Sequence, residues 1–260
     1  NGINLMRAGV WKPRTRPGTF EGNGEEALKW ISDIKKELNV QFTVEVANTT
    51  HIDLALKYGI DILWIGARTT VNPFSVQEIA DAIKGTDTPI LIKNPINPDL
   101  SLWMGALERV NKVGINKIGA IHRGFSITGN SKYRYAPMWK IAIDLKSNIP
   151  NLPVICDPSH ICGNRDMIFE TSQKALDLGY DGLIIESHID PDNAWSDAKQ
   201  QVTPASLLKI KNDLKVKNTK EKDRSYKHLL EEIRENIDDV DKEIIDIIAK
   251  RVSLVEKIGE

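Results

Sequence analysis

Cysteine is nearly absent from this chain: Cys156 and Cys162 are the only two among 260 residues. Six apart in one segment, they give no disulfide framework and fit a reducing, cytoplasmic compartment. No apolar run reaches 18 residues and no charged-then-apolar leader opens the sequence, so we expect neither a membrane span nor secretion. On that expectation the acceptor-like Asn48-Thr49-Thr50 is read as coincidence. An excess of one charge is missing too: 35 Lys and Arg stand against 36 Asp and Glu, a net charge of −1. That balance argues against a nucleic-acid or membrane-surface partner, while leaving room for local clusters that bind small anions. No Gly-rich loop follows the first apolar run, which removes a dinucleotide-binding reading.

What is present is a repeating alternation of short apolar runs with periodic, capped stretches, from the start to about Leu214. The runs predict strands at Ile3 to Met6, Phe42 to Val46, Ile62 to Ile65, Ile90 to Ile92, Lys117 to Ile121, Val154 to Cys156 and Leu183 to Ile185. The stretches between predict helices at Glu25 to Leu38, His51 to Lys57, Val76 to Lys84, Leu100 to Val113, Met138 to Lys146, Asp166 to Leu178 and Pro204 to Leu214. Continuous apolar strands alternating with helices define an α/β fold with a covered parallel sheet. Seven such units are one short of a closed (β/α)8 TIM barrel. Because the chain opens on Asn1-Gly2-Ile3, we expect the first strand of the barrel to lie upstream.

Each predicted strand is followed by an ionisable residue: Arg7 and Lys12, then Glu45, Arg68, Lys93, Arg123, His160 and Glu186. Parallel strands bring their carboxyl ends to one rim, so these groups converge. Five cations there, Arg7, Lys12, Arg68, Lys93 and Arg123, match a substrate carrying several negative charges. The segment Pro153 to His160 shows the pattern best, because a β-branched run empties into Asp157, Ser159 and His160. Pro158 removes a ladder donor, which predicts a loop there. His160, Glu186 and Asp197 form a second subset whose nitrogen and oxygen donors suit a divalent Mn, Co, Fe or Zn ion. The competing reading is a surface His beside ordinary acidic residues. A buried Lys93 also leaves open a Schiff-base aldolase, and a barrel that only binds phosphorylated sugars is a non-enzymatic alternative.

The series Lys12-Pro13-Arg14-Thr15, Ile65-Gly66-Ala67-Arg68, Ile92-Lys93-Asn94, His122-Arg123-Gly124, Asp157-Pro158-Ser159-His160, Ile185-Glu186-Ser187-His188 and Ser196-Asp197-Ala198 with Gln200 resembles the 3-deoxy-D-arabino-heptulosonate 7-phosphate (DAHP) synthases. The resemblance covers about residues 3 to 214. It implies a metal-dependent barrel enzyme that condenses phosphoenolpyruvate with erythrose 4-phosphate, at the head of the shikimate pathway and aromatic amino acid biosynthesis. It implies that Arg7, Lys12, Arg68, Lys93 and Arg123 hold phosphoenolpyruvate and that Arg14 and Thr15 meet the sugar phosphate. His160, Glu186 and Asp197 would be metal ligands, with Asp157 near the sugar hydroxyls or aldehyde and Glu45 helping the attacking water. The family's fourth ligand, a Cys after the first strand, has no counterpart here. The related 3-deoxy-D-manno-octulosonate 8-phosphate synthases carry an Asn-containing loop where this chain has Pro13-Arg14-Thr15, which favours the four-carbon sugar.

Beyond Leu214 the composition changes: 23 of the 46 residues from Lys215 to Glu260 are charged, and Tyr226 is the single aromatic. We expect the barrel at 1–214, a linker at 215–224 and a helix at 225–260, capped by Ser225. Leu230, Ile233, Ile237, Val240, Ile244, Ile247, Leu254 and Ile258 step by three and four along a heptad seam interrupted at Arg251. Leu230, Arg234, Ile237-Asp238, Asp241, Ile244-Ile245, Arg251 and Ile258-Gly259 resemble the first helix of the all-helical chorismate mutases. That resemblance implies a homodimer with Arg234 and Arg251 in shared sites for chorismate or prephenate, and allosteric control of the barrel. The alternative is a purely dimerising helix.

Overall fold

The computed structural model describes residues 2–14, 16–216 and 240–255. Two compact units divide at Lys215 and Val216. In the first, seven strands form one sheet in the order β1 to β7, each hydrogen-bonded in parallel to its neighbours in sequence. They are β1 (Leu5–Ala8), β2 (Gln41–Val46), β3 (Ile62–Ile65), β4 (Ile90–Lys93), β5 (Ile118–His122), β6 (Val154–Cys156) and β7 (Gly182–Leu183). An unbroken sequential order of parallel strands follows from repeated same-handed crossovers, and it curls the sheet as in an incomplete barrel.

The crossovers carry α1 (Glu25–Glu37), α2 (Thr49–Lys57), α3 (Ala67–Thr70) with α4 (Pro73–Ile83), α5 (Leu100–Lys112), α6 (Trp139–Asn148), α7 (Pro158–Cys162) with α8 (Ile168–Asp177), and α9 (Pro204–Asp213). Their sequence signals act as local physics requires. Asn72, Asp99 and Thr203 cap α4, α5 and α9 by accepting from backbone N–H groups, and Pro73 and Pro204 stand where the missing N–H costs nothing. Val76, Ile79, Ala80 and Ile83 of α4 are buried at helical spacing. They join Val44, Leu63, Ile65, Ile90, Ile92 and Val154 in one apolar core. Trp103 is fully buried and donates its indole N–H to the Ile92 carbonyl at 3.1 Å.

Three sequence expectations are corrected. The Asp157 to His160 stretch is helical, because Pro158 sits at the first helical position and Asp157 caps it by accepting from the His160 N–H. Arg7 and Lys93 lie inside β1 and β4 rather than after them, because the ladders run to Ala8 and Lys93. β7 keeps only Gly182 and Leu183, so Ile184 and Ile185 lie past its end. In the second unit residues 240–255 are helical; Arg251 lies on this helix, whereas Arg234 lies outside the described residues.

Candidate active site

Period-two alternation decides which strand side chains share a face. Arg7 pairs with Thr43, Glu45 with Trp64, and Trp64 with Leu91. Arg7, Glu45, Trp64 and Lys93 therefore project from the same face of the sheet. They line a cavity of about 170 Å³ at the carboxyl ends of the strands. Lys12, Arg14, Arg68, Arg123, His160 and Asp197 line it as well, together with Arg134 and Tyr135, which the sequence analysis did not single out. All five cations predicted for an anionic substrate are thus brought together. Asp157 lies fully buried against Lys93, while Glu186 lines a neighbouring cavity beside Arg7 and Lys12. Thr15 lies outside the described residues.

The loop from β1 to α1 carries Lys12 and Arg14 and is closed by backbone bonds from Lys12 N to Glu21 O (2.8 Å) and from Gly24 N to Val10 O (3.0 Å). Gly22 has φ of +97°, and a Cβ there would lie 2.1 Å from the Val10 carbonyl oxygen. Trp11 fastens the loop by stacking on His51, with ring centroids 3.9 Å apart and planes 5° from parallel. Arg14 Nε donates to the Phe20 carbonyl at 2.8 Å. Across the cavity the Arg123 guanidinium lies 3.4 Å from the centre of the Tyr135 ring. The missed residues had a signal: Arg134 and Tyr135 follow β5, but their long loop hid which of its charges turns inward.

Electrostatics couple these groups. Lys93 Nζ donates to Asp157 Oδ2 at 2.9 Å. Burial pushes the Lys93 ammonium down, opposed mainly by Asp157. Burial also pushes the Asp157 carboxyl up, but His160 and Lys93 outweigh it and hold Asp157 well below the usual carboxylate range. Lys12 is lowered by burial and by Arg7, and Glu45 is raised by burial despite Lys93 and Arg7. His160 is lowered by burial. Its Nδ1 faces Asp157 at 2.9 Å, an arrangement that assigns the ring proton to Nδ1 and leaves Nε2 a lone-pair donor. Burial works against ionised Glu186, yet His160 and Arg7 bring it down to about 2.

The donor types of His160, Glu186 and Asp197 suit a divalent ion, but their arrangement does not. Glu186 accepts from Arg7 at 2.9 Å and from Gln200 at 2.7 Å. Asp197 accepts from Arg134 at 3.2 Å. Among the described residues no group of three or more His, Cys, Asp or Glu side chains is placed to hold a metal ion. Arginines neutralise two of the three expected ligands.

A curled parallel α/β sheet with a cation-lined cavity at its carboxyl edge defines the class, a barrel-like α/β protein whose strand-end rim attracts anions. The particular family is shown by sequence: residues 3–222 match the DAHP synthetase I family, and the chain belongs to it. It is 28% identical over 201 residues to phospho-2-dehydro-3-deoxyheptonate aldolase of Thermotoga maritima, an alignment covering 77% of this chain and 57% of that protein. It is 27% identical over 229 residues to 2-dehydro-3-deoxyphosphooctonate aldolase of Brucella ovis, covering 80% and 78%. A crystal structure of the Thermotoga maritima DAHP synthase has the same fold, with a TM-score of 0.70 and 26% identity over 80% of this chain and 59% of that one. The chain therefore spans less than two thirds of the length of these Thermotoga proteins. Among the described residues no helix is long and apolar enough to cross a membrane.

Proposed function

We propose that the barrel unit condenses phosphoenolpyruvate with erythrose 4-phosphate to DAHP and phosphate. The observation that carries this reading is the convergence of Arg7, Lys12, Arg68, Lys93 and Arg123 on one cavity in a chain of this family. Two anionic reactants repel each other, and fixed cations that need no reorganisation offset that repulsion and align the reacting carbons. In this reading the five cations hold the phosphate and carboxylate of phosphoenolpyruvate, while Arg14 and Thr15 take the sugar phosphate. C3 of the enol bonds to the aldehyde carbon. The aldehyde oxygen takes a proton from a lysine whose burial has lowered its pKa, Lys12 or Lys93. Water adds at C2 and gives its proton to Glu45, and collapse of that intermediate to the 2-keto product breaks the C2–O bond and releases phosphate. Asp157 orients Lys93 and His160 beneath the sugar aldehyde.

The divalent ion read from the sequence, Mn²⁺, Co²⁺, Fe²⁺ or Zn²⁺, requires Arg7 and Arg134 to release Glu186 and Asp197, and no step above depends on it. The segment 225–260 is proposed as a dimerising arm of mutase type, with Arg234 and Arg251 directed to chorismate or prephenate and feedback onto the barrel. The deciding assay follows loss of phosphoenolpyruvate with erythrose 4-phosphate or arabinose 5-phosphate, with and without Mn²⁺ and chelator. Loss with the four-carbon sugar alone is expected. Loss with arabinose 5-phosphate instead assigns the octulosonate reaction, and borohydride trapping at Lys93 assigns the Schiff-base aldolase.

A further inference from the structure

Trp64 is absent from the charged series that marks the site, yet it sits among it. The β3 register puts it beside Glu45. The Lys93 ammonium lies 4.5 Å from the centre of its ring, and the Arg7 guanidinium carbon 4.8 Å. The side chain lines the cation-rich cavity and is only 3% exposed, and its buried Nε1 has no hydrogen-bond partner. Among the described residues Thr43, His122, Ser172 and Arg123 also carry a buried polar atom without a partner, and of these only Arg123, through its NH1, lies on the same cavity. The fold does satisfy a buried indole where an acceptor is at hand, as Trp103 shows with the Ile92 carbonyl. An unmade buried donor costs free energy, so two of them around one cavity mark where a ligand supplies acceptors.

We propose that the Trp64 N–H is a ligand contact that donates to an oxyanion oxygen of the molecule held by Arg123, while its ring face steadies the Arg7 and Lys93 charges. The ligand class follows from the donors. An indole N–H and a guanidinium both donate and never accept, so they fit a phosphate or carboxylate oxygen and reject groups that can only donate. The ring adds cation–π attraction for two like charges that a strand-end amide or hydroxyl would leave to repel. The proposal deepens the synthase reading by adding a substrate contact, but the anion site stands without that chemistry.

The test uses the full chain with ¹⁵N-labelled tryptophan indoles, titrated with inorganic phosphate and separately with phosphoenolpyruvate. The Trp64 indole signal is the one missing from Trp64→Phe. It is expected to move downfield on phosphate binding, with the other five tryptophan indoles little changed. Trp64→Phe keeps a ring face and loses the donor, so its Kd for phosphate should rise roughly tenfold or more, the loss of a hydrogen bond to a charged group. If that variant does not fold, the Trp64 indole signal is assigned in the wild-type chain by triple-resonance spectra, and the wild-type titration decides. A bound anion that leaves the Trp64 signal unmoved, wild-type affinity in folded Trp64→Phe, or no phosphate binding at all overturns the proposal. A moved Trp64 signal without condensation keeps the anion contact and overturns the synthase reading; condensation with Trp64 unmoved does the reverse.

Discussion

At the residue scale, the Lys93–Asp157 pair sets the cost of building the site. Removing the carboxylate leaves a buried ammonium without its counter-charge, which costs about 3–5 kcal/mol when an ion pair is broken on one side. Asp157→Asn should lower the urea unfolding free energy by that order, and Asp157→Asn with Lys93→Met should recover part of it. Equal losses in the single and double variants would show that the pair is not coupled. Gly66 presents the opposite case: a Cβ there would meet Glu45 Oε1 at 1.9 Å, the far end of a flexible side chain. Gly66→Ala should therefore cost little stability yet push Glu45 aside, lowering kcat roughly tenfold or more if Glu45 acts as the base. His122 gives the pH dependence. It is fully buried, its Nδ1 lies 2.8 Å from the Tyr180 hydroxyl, and burial pushes its pKa from 6.5 to about 4. Between those values the unfolded chain binds the proton and the folded chain does not. Stability falls as pH drops through that window, by about 3 kcal/mol in all, and His122→Gln should flatten the fall in urea melts.

At the element scale, the sequence disclosed the strands and helices because each is either continuously apolar or periodic, and the carboxyl-end rim followed from parallel pairing. Arg7, Lys93 and Arg123 could be read as converging because parallel strands bring the charges at their carboxyl ends to one rim. Trp64 could not, since an aromatic within Ile62–Ile65 reads as core until the register sets it beside Glu45. Nor could the embrace of Glu186 by Arg7 or of Asp197 by Arg134, which joins residues 179 and 63 apart. The β1 to α1 loop combines both kinds of information. Its Lys12-Pro13-Arg14 motif was legible, but not the close approach at Gly22. Gly22→Ala adds a clash with the Val10 carbonyl to an unfavourable positive φ, so it should cost about 1–3 kcal/mol and raise KM for both substrates. Gly18, also at positive φ but with nothing within 4 Å of an added Cβ, is the control. Comparable KM values in the two variants would mean that the closure does not place Lys12 and Arg14.

At the scale of the whole molecule, the two units differ in where they put apolar side chains. The barrel unit buries them in one core, whereas Val240, Ile244, Ile247 and Leu254 of the 240–255 helix are all 49–66% exposed. They are the seam that the heptad pattern singled out. Burying one such side chain stabilises by about 1.5–3 kcal/mol, and two copies of this chain can bury several at once. Charged residues at the centre of that seam would have to be desolvated without partners, so Ile244→Glu with Ile247→Glu should convert a dimer to a monomer in light scattering. The barrel unit has its own core and its own site, and kcat should stay within about twofold because the substitutions lie in the other unit. Deleting residues after Leu214 should likewise spare turnover while abolishing any inhibition by chorismate or prephenate. A dimer that survives both glutamates moves the interface to another surface. Inhibition that survives the deletion puts the sensing site on the barrel, and the helix then has no part in control.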